Sequence, residues 1–166
     1  TSRGCPFNCT FCSVTSMFGK HYRFRSSEKI IEEMLQYDHK ENWIFFYDDN
    51  FAAHKKRTKE LLQAIIKLPV QYRWSTQVRT DIVKDPELLD LMYKAGCRIL
   101  FIGLESVDPK VLKEMKKSQT AEEIKYAIKA IRDKGICVHG MFVFGFDADT
   151  HETIKSTIDF AIEQKL

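Results

Sequence analysis

Arg3-Gly4-Cys5-Pro6-Phe7-Asn8-Cys9-Thr10-Phe11-Cys12 sets three thiols at the spacing Cys-x3-Cys-x2-Cys within eight residues. Thiolates select iron–sulfur clusters and zinc, and three of them on so short a loop can converge on one inorganic group. A closed structural site takes four protein ligands, whereas three thiolates on a four-iron cluster leave one iron open to another ligand. A Cys3His zinc site stays open as a second reading, with His21 nine residues downstream. A disulfide framework is disfavoured, because Cys5, Cys9, Cys12, Cys97 and Cys137 make an odd count in a chain with ample apolar residues for a core. A two-cysteine redox motif at Cys9 and Cys12 would carry no third cysteine just upstream.

Outward from this loop, strand and helix patterns alternate. Ser26 and Ser27 precede Ile30, Ile31, Met34 and Leu35, the apolar face of a helix ending near Tyr37. Residues 43–47 are continuously apolar and aromatic, which suits a strand buried on both faces, and the run stops at Asp48-Asp49-Asn50. A helix over 55–67 leads to a more polar strand over 72–78 that ends at Arg79. Asp85-Pro86 opens the next helix, stopped by Gly96, and residues 99–102 form a buried strand running into Gly103-Leu104-Glu105-Ser106. Asp108-Pro109 opens a short helical turn, Thr120-x-x-Glu123 is a capping box, and 138–144 reads as a strand. Asp149-x-x-Glu152 caps the last helix.

This alternation predicts an α/β fold of parallel strands, and without a Gly-x-Gly-x-x-Gly turn the strands curve into a barrel or part of one. Residues just past the strand ends then face one mouth. They are the cysteine loop, Asp48-Asp49-Asn50, Gln77 with Arg79, Glu105-Ser106, and Gly145 onward. Acids and a guanidinium around one mouth suit a zwitterionic ligand. Blander readings stand beside this one. Asp48-Asp49-Asn50 could be a turn and helix cap, Arg79 could pair with Asp81 at the surface, and Glu105 and Ser106 could serve the next turn. Cys97 and Cys137 read as small buried hydrophobes, His54, His139 and His151 receive no role, and Lys117 belongs to a solvated lysine run.

Composition bounds the class. With 166 residues, 44% apolar and 12% aromatic, the chain fits one domain over 1–166 with a sizeable core. A net charge of +3 does not argue nucleic-acid binding. Residues 1–25 nevertheless hold Arg3, Lys20, Arg23 and Arg25 with no acid, either a solvated edge or an attraction for an anionic substrate, an electron donor or RNA. No apolar run approaches ~20 residues and no signal-peptide pattern follows Thr1, so with thiols that must stay reduced a cytoplasmic location is expected.

Cys-x3-Cys-x-aromatic-Cys, with Phe11 as the aromatic, resembles the signature of the radical S-adenosylmethionine enzymes. Thr1-Ser2-Arg3-Gly4-Cys5-Pro6 resembles the branch that often carries a cobalamin-binding domain upstream. The resemblance implies that Cys5, Cys9 and Cys12 hold a four-iron four-sulfur (4Fe-4S) cluster whose fourth iron is chelated by S-adenosylmethionine. Phe11 would contact the cofactor, and Asp48, Asp49 and Asn50 would bind the methionyl amine, the trio standing where many members have Gly-Gly-Glu. Arg79 would meet the methionyl carboxylate or sulfonium region, while Glu105 and Ser106 would reach the ribose or steady Arg79. Gly140, Val143 and Gly145, in the run Gly140-Met141-Phe142-Val143-Phe144-Gly145, would pack on adenine. Asp149 replaces the glutamate expected beyond that run and is left as a cap, and Lys117 is similar to a lysine of the family.

The implied reaction is one-electron cleavage of S-adenosylmethionine to a 5′-deoxyadenosyl radical that abstracts hydrogen from a small organic substrate, with cobalamin-assisted methylation or cyclisation as outcomes. A flavodoxin or ferredoxin would supply the electron. A tRNA-modifying methylthiotransferase is the second reading, with nucleic acid as its partner. A zinc or cluster module without turnover is a third, of another class. Against a six-strand core of this family the chain reads as truncated, a piece of a longer protein.

Overall fold

A two-stranded antiparallel ribbon, β1 (Ser2–Arg3) with β2 (Arg23–Phe24), brackets the cysteine loop and the short helix α1 (Val14–Phe18). The computed structural model describes residues 1–166. After α2 (Ser27–Met34), strands and helices alternate: β3 (Trp43–Phe46), α3 (Lys55–Ile66), β4 (Arg73–Val78), a 3-10 turn at Thr80–Lys84, α4 (Pro86–Lys94) and β5 (Cys97–Glu105). Helices α5 (Pro109–Glu114) and α6 (Ala121–Asp133) lead to β6 (Cys137–Phe142), and α7 (His151–Glu163) follows.

The four longer strands are all parallel and lie side by side in chain order. Every crossover therefore winds the same way, without the reversal that marks a doubly wound sheet. This is a partial barrel. The α/β class read from the alternation of apolar runs and caps is the class observed.

The helices cover one face of the sheet. Phe46, Trp74, Leu100, Ile102 and Leu104 pack there against Leu61, Leu62, Leu88, Met92, Ile124 and Ile131 in one contiguous core. Trp74 is fully buried and its indole N–H donates to the Ala95 carbonyl at 2.8 Å, so even the polar atom in this layer is satisfied. Each such apolar side chain contributes ~1.5–3 kcal/mol by leaving water.

The other face carries the alternate residues of the same strands, and two expectations change there. Residues 43–47 do not form a strand buried on both faces: β3 is an edge strand whose Trp43 and Phe45 are exposed, with Phe45 edge-on to Phe101 at 5.5 Å. Cys137, at the start of the opposite edge strand, is exposed, whereas Cys97 is buried as expected. Local boundaries also shift. Helix α2 ends at Met34, β5 spans Cys97–Glu105 rather than 99–102, and β6 ends at Phe142 rather than at 144. Thr150, not Asp149, caps α7, in a reciprocal box with Thr153. Thr150 has the extended backbone a cap needs, which leaves the Asp149 carboxylate to accept from the amides of Gly145 and Phe146 at 2.8 and 3.0 Å.

Candidate active site

The cysteine loop lies across the carboxyl ends of the strands because both its ends are pinned. Gly4 has φ +94° and approaches the His21 carbonyl so closely that a Cβ would stand 2.7 Å from that oxygen. Only glycine fits there. Farther along, Thr10 donates its amide to Met115 and its hydroxyl to Glu114, and Thr15 donates to the Phe7 carbonyl at 3.0 Å.

Between loop and strand ends lies a cavity of about 290 Å³. Cys5, Cys9 and Cys12 share its wall with Phe7 and Phe11, and the strand ends add Asp49, Asn50, Gln77, Arg79, Glu105, Met141 and Val143. A larger hollow of about 610 Å³ between α5 and α6 carries no thiol, so size does not mark the site. No three His, Cys, Asp or Glu side chains crowd close enough to share one ion. The three thiols share the wall of one cavity, and thiolates are the ligands that iron–sulfur clusters take. Burial pushes the Cys5 thiol above its ordinary value, opposed by the Phe7 amide, while the Cys12 and Cys9 sulfurs add to the rise and Arg79 counters it. Burial also raises the Asp49 carboxyl, against the Gly4 amide and Arg3.

Arg79 is mostly buried, with its guanidinium carbon 4.0 Å from the centre of the Phe7 ring and Nη1 3.9 Å from Cys9 Sγ. Its Nε has no hydrogen-bond partner, and the Asp81 carboxylate at 3.9 Å makes only a loose ion pair with it, beyond hydrogen-bond distance. A buried, orphaned guanidinium N–H beside three thiols calls for an anionic group such as a carboxylate. The pairing of Arg79 with the half-exposed Asp81 is present, but it leaves the Nε–H without a hydrogen bond.

Opposite it, Glu105 holds a left-handed backbone, φ 66°, at a register shift between β5 and β6. This is a strained conformation for a residue other than glycine. Its carboxylate pairs with Lys117 at 2.7 Å. The two side chains lie over Gly103, where a Cβ would stand 2.3 Å from Glu105 Oε1 and 2.9 Å from Lys117 Nζ. Lys117 thus lines the cavity, against the expectation of a solvated lysine. The segment carrying it is tied down by Gln119, which donates to the Leu104 carbonyl and accepts from Thr80, both at 2.8 Å. Glu105 steadies Lys117 rather than Arg79.

Of the residues singled out in the sequence, Cys5, Cys9, Cys12, Phe11, Asp49, Asn50, Arg79, Glu105 and Val143 meet at this cavity. Asp48, Ser106, Gly140 and Gly145 do not line it. Asp48 is fully buried beneath, bonded to the hydroxyls of Thr1 and Ser2. The Ser106 hydroxyl accepts from the Asp108 amide, and Gly140 faces Leu104 on the helix side. Gly145 stands in the open with its N–H tied to Asp149. Phe7, Val14, Val78, Gly103 and Met141 line the cavity without having been assigned to it from the sequence, and Lys117 was noted but read as solvated; alternation back from Val143, just past β6, would have found Met141.

The model of the radical S-adenosylmethionine superfamily matches residues 1–161. Among curated proteins, a bacteriochlorophyllide d C-12(1)-methyltransferase of Chlorobaculum tepidum is 31% identical over 99% of this chain and 37% of its own length. An anaerobic magnesium-protoporphyrin IX monomethyl ester cyclase of Rubrivivax gelatinosus is 33% identical over 96% of this chain and 29% of its own. The chain spans about a third of the length of these relatives. Among solved structures, the radical S-adenosylmethionine methyltransferase TsrM of Kitasatospora setae, with cobalamin and a 4Fe-4S cluster bound, superposes with a TM-score of 0.86 at 22% identity. That match covers 99% of this chain and 32% of TsrM. The fold, the three-thiol loop and the family match make this chain a member of the radical S-adenosylmethionine superfamily, whose cofactors are a 4Fe-4S cluster and S-adenosylmethionine.

Proposed function

We propose that the chain is the core of a longer enzyme that uses S-adenosylmethionine to methylate or cyclise a small organic substrate, with cobalamin bound by a separate domain. The observation that carries this reading is the juxtaposition of three free thiols with the orphaned Arg79 Nε in one cavity. Cys5, Cys9 and Cys12 would hold the cluster. Arg79 would clamp the methionyl carboxylate, and the Asp49 carboxylate, with Asn50 beside it in the cavity wall, would take the amine. Met141 and Val143 offer an apolar wall for adenine, and the Glu105–Lys117 pair closes the floor. Cluster and S-adenosylmethionine together supply one-electron cleavage to a 5′-deoxyadenosyl radical, and the residues around them orient the ligand and exclude water.

Relatives named as methyltransferases and as a cyclase support this outcome over tRNA methylthiolation. No helix is long and apolar enough to cross a membrane, and free thiols suit a reducing cytoplasm where a flavodoxin or ferredoxin supplies the electron. Incubating the anaerobically reconstituted full-length protein with dithionite and S-adenosylmethionine tests the reading. 5′-Deoxyadenosine or S-adenosylhomocysteine should form and should vanish in Cys9→Ala; neither product from a cluster-loaded protein would contradict it.

A further inference from the structure

The β1–β2 ribbon sets Arg3 directly opposite Arg23, and like charges facing across a strand pair are destabilising. Their hydrogen bonds go only to main-chain carbonyls, from Arg3 to Ser2 and Tyr47 at 3.5 Å and from Arg23 to Phe18 at 3.4 Å. Of the neighbouring charges, Arg25 is neutralised by Glu33, and Asp49 feels Arg3 from the cavity side. Arg23 and the exposed Lys20 are left without a carboxylate partner. Asp49 offsets Arg3 in part, and Arg23 with Lys20 remains a basic edge without a carboxylate of its own.

Arg3, Arg23 and Arg25 line an open hollow of about 670 Å³ together with Met17, Phe18 and Phe24. Those three apolar side chains are 68%, 38% and 42% exposed. Arginine around exposed methionine and phenylalanine is the composition of a protein interface, not of a solvated edge. The lining residues flank the cysteine loop in sequence, Arg3 before it and Met17 and Phe18 after it. Arg3 is two residues from Cys5, so chain length alone keeps their Cα atoms within ~7 Å. Helix α1, which supplies Met17 and Phe18, begins two residues after Cys12. Yet the hollow shares no lining residue with the cavity that holds Arg79, Glu105 and Lys117. The hollow and the cavity are separate openings on either flank of the loop's sequence.

We propose that this hollow is the docking face for an acidic one-electron carrier protein, which reaches the cluster loop from the side away from the substrate cavity. The proposal rests on the reductive function above. At this face one electron passes from the reduced carrier to the oxidised cluster; the carrier is oxidised by one, the cluster is reduced by one, and no covalent bond forms or breaks. A carrier's carboxylates would relieve the Arg3–Arg23 repulsion and steer its approach, while Met17, Phe18 and Phe24 would give a small apolar contact. Redox encounters typically use such limited interfaces, below ~1,200 Å².

The test uses the full-length, cluster-loaded protein, a reduced acidic flavodoxin, and the variants Lys20→Glu/Arg23→Glu and Met17→Ser. Against dithionite, 5′-deoxyadenosine formation should match the unsubstituted protein. Against flavodoxin, half-saturation of the charge-reversed variant should rise ~10-fold and its salt dependence should flatten. Met17→Ser should weaken the carrier without changing that salt dependence. Flavodoxin-driven kinetics unchanged in both variants would overturn the proposal, as would loss of binding to a homopolymer RNA with flavodoxin kinetics intact. Calorimetric titration of flavodoxin separates this from the function itself. Weaker binding to the charge-reversed variant supports the docking face, and equal binding overturns it, whether or not S-adenosylmethionine is cleaved.

Discussion

Lys117 Nζ stands 2.7 Å from Glu105 Oε1, with the two side chains only 5% and 7% exposed, on a backbone that Glu105 holds at φ 66°. Removing one partner of a buried pair leaves an uncompensated charge, at a cost of ~3–5 kcal/mol. Lys117→Met should therefore lower stability in urea by about that amount, and Glu105→Gln with Lys117→Met should recover part of the loss. Equal stability of Lys117→Met and the parent would mean that the pair is not held as described.

Arg79 presents a buried Nε without a partner, and a planar fork matches a carboxylate where an ammonium does not. Arg79→Ala and Arg79→Lys should both bind S-adenosylmethionine ~10-fold or more weakly while retaining iron, since a charge-assisted bond contributes ~1.5–3 kcal/mol. Unchanged calorimetric affinity in both would remove Arg79 from the binding site.

Cys97 lies wholly buried in the core, and desolvation pushes its thiol far above the ordinary value. Unfolded thiols release their proton near pH ~8.5, so above that the unfolded chain binds fewer protons than the native one, and stability falls as pH rises. The loss reaches ~1.4 kcal/mol per pH unit for one such group. In urea titrations of the apoprotein at pH 8 and 9.5, the decline should be shallower in Cys97→Ala. Equal slopes would show that Cys97 ionises in the native state as easily as in the unfolded one.

Features carried by local chemistry were legible in the sequence. The thiol spacing marked the loop, the caps at Asp85, Asp108 and Thr120 marked helix starts, and polar residues after apolar runs marked the strand ends. Features set by partners far along the chain were not. The Trp43 to Phe46 run is as apolar as a doubly buried strand, yet the helices cover only the face that carries Ile44 and Phe46. Asp48 and Asp49 are neighbours with opposite fates, one sealed beneath the sheet end and one at the cavity, in the bend where the chain leaves β3. Lys117 looked like any member of a lysine run. Only the folding of the α5–α6 connection onto Gly103 gives it a buried carboxylate.

The central claim is that Cys5, Cys9 and Cys12 alone hold a four-iron cluster in the cavity they wall. Iron, sulfide and zinc analysis of the anaerobically reconstituted full-length protein, with each of the five cysteines replaced in turn by Ala, tests it directly. We expect a brown protein with about four irons, losing them in Cys5→Ala, Cys9→Ala and Cys12→Ala and keeping them in Cys97→Ala and Cys137→Ala. A colourless protein with one zinc, or loss of iron from a folded Cys97→Ala or Cys137→Ala variant, would contradict the claim.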